Sequence, residues 1–222
     1  HTSVAETMRL QWGPMLRLGG YISLTALSFY IFSTYMTTFL RSVVGMPSDS
    51  VLLSNVLALV FATILAPILG IVCDRVGRRP MMIASAVLLC GLSVPGYILS
   101  TQATLASALS AQIMLAVGAV TANVVTAVLL SEAFPTAVRY TASAVTYNVA
   151  YAVFGGTAPF IATGLIALTD NVLAPAYYVS LIAILAFAVS LMMPETAGRP
   201  FRLRPPSEII GAGTRGKKSR LS

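Results

Sequence analysis

The sequence predicts an all-α membrane protein of six transmembrane helices, and three observations carry that prediction. Of 222 residues, 57% are hydrophobic and only 9% are charged, against about 25% charged in an ordinary soluble domain. The apolar residues fall into uninterrupted runs, and a run of roughly 20 is what an α-helix needs to cross a hydrocarbon core of ~30 Å. No stretch alternates apolar and polar residues for the ten or so positions of a membrane-spanning strand, so a β-barrel is excluded and helices are the remaining way to span.

The runs are read in chain order as spans over residues 15–40, 51–72, 81–99, 105–130, 140–168 and 174–193. The first stops at Arg41, where Gly45, Met46, Pro47 and Ser48 make a turn. The second and third are separated only by Cys73 to Pro80 and are expected to form a tight hairpin. Residues 1–14 are read as the end of a cytoplasmic loop, 15–193 as the bundle, and 194–222 as a cytoplasmic tail. That tail is rich in Arg, Lys, Pro, Gly and Ser and has little to bury, so it is expected to be largely disordered, with contact to anionic membrane lipid as its alternative state. The opening His1-Thr2-Ser3 has neither an initiator Met nor an apolar signal core, so the sequence reads as beginning within a longer protein.

Orientation follows from charge. With both ends on one side, all of the 14 Lys and Arg residues except Arg41 collect there, and short loops rich in Lys and Arg are retained in the cytoplasm. The net charge of +7 is therefore accounted for without nucleic acid. Cys73 and Cys90 lie on different segments and read as free thiols, and the lone His1 leaves no metal cluster, no triad and no cofactor motif. An enzyme is not expected.

Between spans two and three stands Gly70-x-x-x-Asp74-Arg75-x-Gly77-Arg78-Arg79. Its physics is readable directly: Gly77 permits a sharp reversal, Asp74 ends a helix at the interface, and the three arginines hold the loop on the cytoplasmic side. At every defining position the stretch resembles the signature loop of the major facilitator superfamily, which joins helices two and three of each half. Glu132-x-Phe134-Pro135-x-x-x-Arg139 and Pro194-Glu195-Thr196-x-Gly198-Arg199 stand on the same side. Together these stretches place Asp74, Arg78, Glu132, Arg139, Glu195 and Arg199 where carboxylates and guanidiniums can pair, which reads as a gate latch.

Phe134-Pro135-Thr136, Arg139-Tyr140, Tyr147-Asn148, Gly155-Gly156-Thr157-Ala158-Pro159 and Pro175-Ala176-Tyr177-Tyr178 look like the metabolite:proton symporter family, with its proline/betaine, α-ketoglutarate, citrate and shikimate carriers. The resemblance implies the carboxy-terminal half of a twelve-helix fold in an inner (plasma) membrane. It also implies a missing amino-terminal six-helix half, a small-molecule substrate and protons as partners, and alternating access. The competing reading is a six-helix scaffold that stands alone or pairs with itself; six further spans upstream would decide between them.

Polar residues inside apolar helices are the substrate candidates, because a polar side chain in hydrocarbon is costly unless it faces protein or a wet cavity. On regular helical spacing Tyr30 and Thr34 share a face of span one. Span five offers Tyr147, Asn148 and Tyr151, and span four offers Asn123. Gly155, Gly156 and Pro159 read as a hinge, since Pro159 leaves the Gly155 carbonyl without its donor. No acid, base or histidine lies in the middle of any span, so the proton carrier is expected in the missing half.

Overall fold

The computed structural model describes residues 4–136 and 138–195. Six helical stretches are long and apolar enough to cross a membrane: Gln11–Ser42, Ser48–Val76, Arg78–Ser100, Leu105–Glu132, Arg139–Thr169 and Ala174–Met192. Their order and number match the apolar runs. Most run past the apolar residues by one to four positions, because a helix continues through interfacial polar residues until something caps it. The first helix begins at Val4, so most of the stretch read as a loop over 1–14 is helical. The tail expected to be disordered lies, from residue 196 on, outside the described residues.

The spans are not equivalent. In its most apolar window the first is 67% buried and the fourth 56%, whereas the second and the fifth are each only 17% buried. The first sits among the fourth, fifth and sixth, and the fourth packs on the second and third. A helix apolar on all sides gives no stripe to say which face turns inward, and what sorts the faces here is side-chain size. Ala108, Ala111, Ala116, Ala119 and Ala122 of the fourth span are all buried, the small-residue surface by which membrane helices approach closely. Gly118 is the tightest point: a Cβ there would lie 2.6 Å from Leu89 Cγ of the third span.

Hydroxyl pairs stitch the bundle across helices. Tyr21 and Ser85 share a 2.7 Å hydrogen bond between the first and third spans. Thr25 and Thr126 do the same at 2.7 Å between the first and fourth, as do Ser93 and Ser180 at 2.8 Å between the third and sixth. Each such bond is worth about 0.6 kcal/mol on average, up to ~1.7, in a membrane bundle.

The structure departs from expectation in two places, and both bear on the site. The second and third spans do turn sharply at Gly77, but they diverge rather than lie along one another; the second lies mainly on the fourth, and the third between the fourth and sixth. The first and fifth spans are not regular α-helices throughout. Ile31–Tyr35 and Tyr151–Gly155 are single π-helical turns, which insert one extra residue per turn and rotate everything beyond them. In the fifth span the π turn is followed by Gly156 and Thr157, and a new α-helix over Ala158–Thr169 starts with Pro159 in its first turn, where the missing N–H is not needed.

The packing account makes a paired prediction. Gly118→Leu overfills the contact with Leu89 and lowers the thermal unfolding midpoint of the full-length protein in detergent, by the equivalent of about 1–3 kcal/mol. Gly164→Ala adds a methyl group with no atom within 4 Å and leaves the midpoint unchanged or slightly raised.

Candidate functional site: a charged rim and an aromatic patch

At one rim of the bundle the backbone forces the geometry. Gly77 has φ 104 and ψ 167, a region that essentially only glycine occupies. This lets the second span end and the third begin with one residue between them. The third span therefore starts with backbone N–H groups that have no partner within the helix. Glu195, just past the sixth span, supplies one. Its Oε1 accepts from the Arg78 N–H at 3.0 Å and its Oε2 from the Arg79 N–H at 3.1 Å, a carboxylate at the positive end of a helix. A Cβ on Gly77 would sit 2.8 Å from Glu195 Oε2, so the same glycine makes the turn and leaves room for the cap.

Arg78 is the hub. Its Nη2 donates to Glu132 Oε1 at 2.9 Å and its Nε to Glu132 Oε2 at 3.2 Å, the two-pronged arrangement that fits a guanidinium to a carboxylate. Its Nη1 reaches the Cys73 carbonyl at 3.2 Å and Asp74 Oδ1 at 3.1 Å. The Arg78 side chain is 13% exposed and that of Glu132 22%, but that of Asp74 is 70% exposed. Asp74 therefore contributes the least of the three, because water screens an exposed pair.

Arg79 donates through Nη2 to the Leu191 carbonyl at 2.8 Å, Arg139 donates through Nε to the Phe134 carbonyl at 3.0 Å, and Arg75 is exposed. A Cβ on Gly70 would meet nothing within 4 Å. Arg199 lies outside the described residues.

Asp74, Arg78, Glu132 and Glu195 meet at this rim, but the pairing differs from a latch of side chains alone. Glu195 holds main-chain N–H groups. The contacts of Arg78 and Glu195 join the ends of the second, third, fourth and sixth spans, all within one bundle. The arrangement is a clamp whose contacts tie four helix ends to one another. Nothing in a single sequence signals that Glu195 would cap a helix more than a hundred residues away.

Deeper in the bundle, four of the six cavity candidates meet. Tyr147 and Tyr151 stack with ring centroids 4.1 Å apart and planes inclined by 26°. Tyr30 approaches Tyr151 at 6.4 Å and 67°, and the Tyr151 hydroxyl donates to Asn123 Oδ1 at 3.2 Å. Asn123 Nδ2 in turn donates to the Ala119 carbonyl at 3.0 Å.

Gly155 holds the corner. A Cβ there would lie 2.8 Å from Tyr30 Cδ2 and Cε2, so the Tyr30 ring rests on bare backbone. Gly155, expected as part of a hinge, is thus a close-packing position as well. A Cβ on Gly156 would come 2.9 Å from the Ala152 carbonyl oxygen, which ties the glycine pair to the tight turn between the two helical segments of this span.

Thr34 and Asn148 do not join the patch. The π turn at Ile31–Tyr35 breaks the four-residue spacing that put Thr34 on the face of Tyr30, and Thr34 is exposed, next to Ser33. Asn148 is exposed and donates to the Ala144 carbonyl at 2.7 Å. The carboxamides Asn55 and Gln112 lie 3.5 Å apart between the second and fourth spans, and Gln112 Oε1 is buried without a partner. A cavity of about 510 Å³ runs beside the first and fifth spans, where Trp12, Leu16, Val145 and Val153 contribute to an apolar lining. Among the described residues no cluster of His, Cys, Asp and Glu can hold a metal ion.

Six helices long and apolar enough to cross a membrane, with their charges gathered at a rim, define a multi-pass membrane protein. The chain belongs to the sugar (and other) transporter family of the major facilitator superfamily, whose sequence profile matches residues 2–205. It is 30% identical over 205 residues to a proline/betaine transporter of Escherichia coli, with 92% of this chain and 41% of the relative covered. It is 33% identical over 187 residues to an α-ketoglutarate permease of the same organism, covering 83% and 42%. To a citrate-proton symporter of Klebsiella pneumoniae it is 30% identical over 189 residues, covering 82% and 41%. The chain thus spans about two fifths of the length of the curated relatives it matches.

The rim geometry predicts the effect of two glycine substitutions. Gly77→Ala, strained in backbone and crowding Glu195, destabilises the full-length protein by about 1–3 kcal/mol, read as a lower thermal midpoint. Gly70→Ala, seven residues earlier in the same motif, leaves the midpoint within error.

Proposed function

We propose that this chain is the carboxy-terminal six-helix half of a proton-coupled carrier that moves a small polar metabolite by alternating access. The observation that carries the reading is the rim clamp. Alternating access in such folds is largely rocking of one bundle against the other around a fixed site near the midplane, and a bundle can rock as a unit only if its helix ends are tied together. Arg78, Glu132 and Glu195 tie four of them, with Asp74 as an exposed outrigger. In this reading the rim faces the cytoplasm of an inner-membrane protein, which the excess of Arg and Lys on that side supports.

Tyr30, Asn123, Tyr147 and Tyr151 form this half's contribution to the substrate site, and the opposite wall comes from an amino-terminal bundle. The two π turns flank that site on both the first and fifth spans. A π turn is a frequent mark of function within a helix, and with Gly155, Gly156 and Pro159 the fifth span has a place to bend without losing buried backbone bonds. Protons enter through the other half, because spans one, four and five carry no titratable acid or histidine beside the patch. Membrane lipid covers the faces that neither half buries.

Counterflow uptake into proteoliposomes of the full-length protein tests this directly. With labelled betaine, proline, α-ketoglutarate, citrate and shikimate, each with and without an inward proton gradient, one compound is expected to accumulate above its outside concentration only when the gradient is present. Exchange without accumulation contradicts proton coupling, and no uptake of any of the five contradicts the substrate class.

A further inference from the structure

We infer that the apolar groove between the first and fifth spans is a binding site for an anionic phospholipid, with one acyl chain in the groove and the headgroup phosphate at Arg9. The inference rests on the membrane-spanning fold and not on the carrier function.

The lining gives the first argument. A cavity of about 510 Å³ opens between Trp12, Leu16 and Gly20 of the first span and Val145, Val149 and Val153 of the fifth. Two hydroxyls reach it, and each has already given its proton to its own helix. Ser23 Oγ donates to the Gly19 carbonyl at 2.7 Å, and Thr146 Oγ1 donates to the Ala142 carbonyl at 2.7 Å. A polar metabolite placed here would give up its hydration with little hydrogen bonding in return. An alkyl chain has nothing to give up.

Depth gives the second. The first helix runs through Pro14 from Val4 to Tyr30, and Arg9, Trp12, Leu16, Gly20 and Ser23 recur at the three- and four-residue steps that keep side chains on one face. At 1.5 Å per residue the stretch from Trp12 to Ser23 is about 16 Å long, roughly half of a hydrocarbon core of ~30 Å. The groove is therefore one leaflet deep. It is closed at its inner end by protein: Leu27, one turn beyond Ser23, is fully buried, and the Tyr30 ring rests on the backbone of Gly155.

The mouth names the headgroup. Trp12 is 66% exposed near the start of the first span and Tyr140 is 89% exposed at the start of the fifth, and amphipathic rings of this kind mark the headgroup level of a bilayer. Arg9 is exposed one turn outside Trp12 on the same stripe. Arg17 is exposed farther in, on a stem long enough to snorkel to the same layer. Before Asp49 the chain has a single acid, Glu6, so this end of the groove is basic. A guanidinium fits a phosphate with two parallel hydrogen bonds. A protein helix seated in the groove would account for the apolar lining but not for the guanidiniums and the exposed indole at its mouth.

Photolabelling tests the assignment. The full-length protein is reconstituted in lipid nanodiscs with either phosphatidylglycerol or phosphatidylcholine carrying the same diazirine-bearing acyl chain, irradiated, and mapped by mass spectrometry. Phosphatidylglycerol is expected to label Leu16, Val149 and Val153 about fivefold more than phosphatidylcholine does, the preference that one basic residue near an anionic lipid supports. Arg9→Gln is expected to remove that preference and Arg9→Lys to keep most of it. Val149→Trp, which fills the groove, is expected to lower labelling of Leu16 and Val153 by both lipids. Leu181 and Leu185, exposed on the sixth span, report the ordinary lipid surround, and unchanged labelling there shows that each variant is folded. Equal labelling of the groove by the two lipids overturns the inference, as does a preference that survives Arg9→Gln or groove labelling that Val149→Trp leaves unchanged. Labelling of the sixth span with none in the groove overturns it as well, and shows that protein covers the groove.

Discussion

The constraint on which this structure depends is that a polar group at membrane depth has no water to turn to, so it must find its partner inside the protein or not be there. Backbone polarity is absorbed by helices. Many side-chain hydroxyls bond back to carbonyls of their own helix, and three further uses of side-chain polarity stand out. Hydroxyls pair across helices, as Tyr21 does with Ser85 and Thr25 with Thr126. Charges gather at one rim, where Arg78 meets Glu132. The remaining polar aromatic groups meet at Tyr30, Tyr147 and Tyr151, with Asn123 bonded to the last. The first two uses hold the bundle together. The third is the one that packing alone does not require.

The rim and the patch belong to one mechanical scheme. In the proposed carrier reading this bundle has to be stiff as a body and compliant at a few chosen points. Stiffness, in that reading, comes from close approach of small residues along the fourth span and from the Arg78 hub, which ties the ends of spans that already pack on one another. In the same reading compliance comes from the places where the helices leave α geometry, at Ile31–Tyr35 and at Tyr151–Gly155 with the turn that comes after it. Those irregular turns border the aromatic corner, so any change in their geometry is felt first by the rings.

Much of this was legible in the sequence, for a physical reason. Span number and order are written in apolar runs, because the bilayer allows nothing shorter. The rim residues are written in the Gly70 to Arg79 stretch and its two companions, and the aromatic candidates stand out because they are polar groups at depth. What was not legible is pairing. Glu195 as a helix cap, Ser85 as the partner of Tyr21 and Gly118 as the seat of Leu89 all depend on which faces turn toward each other, and uniformly apolar helices do not announce their faces. The placement of Thr34 beside Tyr30 failed for a sharper reason. It assumed a regular helix, and no proline or glycine within Ile31–Tyr35 warns of a π turn. In the fifth span Gly155, Gly156 and Pro159 do give warning, and the helix leaves α geometry there, but nothing in the sequence signals the close contact of Gly155 with the Tyr30 ring.

If Arg78 and Glu132 act as one unit that holds the helix ends together, a double-mutant cycle shows it most directly. Arg78→Gln, Glu132→Gln and the double variant of the full-length protein would be compared with wild type by thermal unfolding in lipid nanodiscs. A clamp predicts that either single change costs most of what the double change costs, with a coupling of about 1 kcal/mol or more, within the range found for residues sharing one ion-pair network. Additive losses, with no coupling between the two sites, would contradict it.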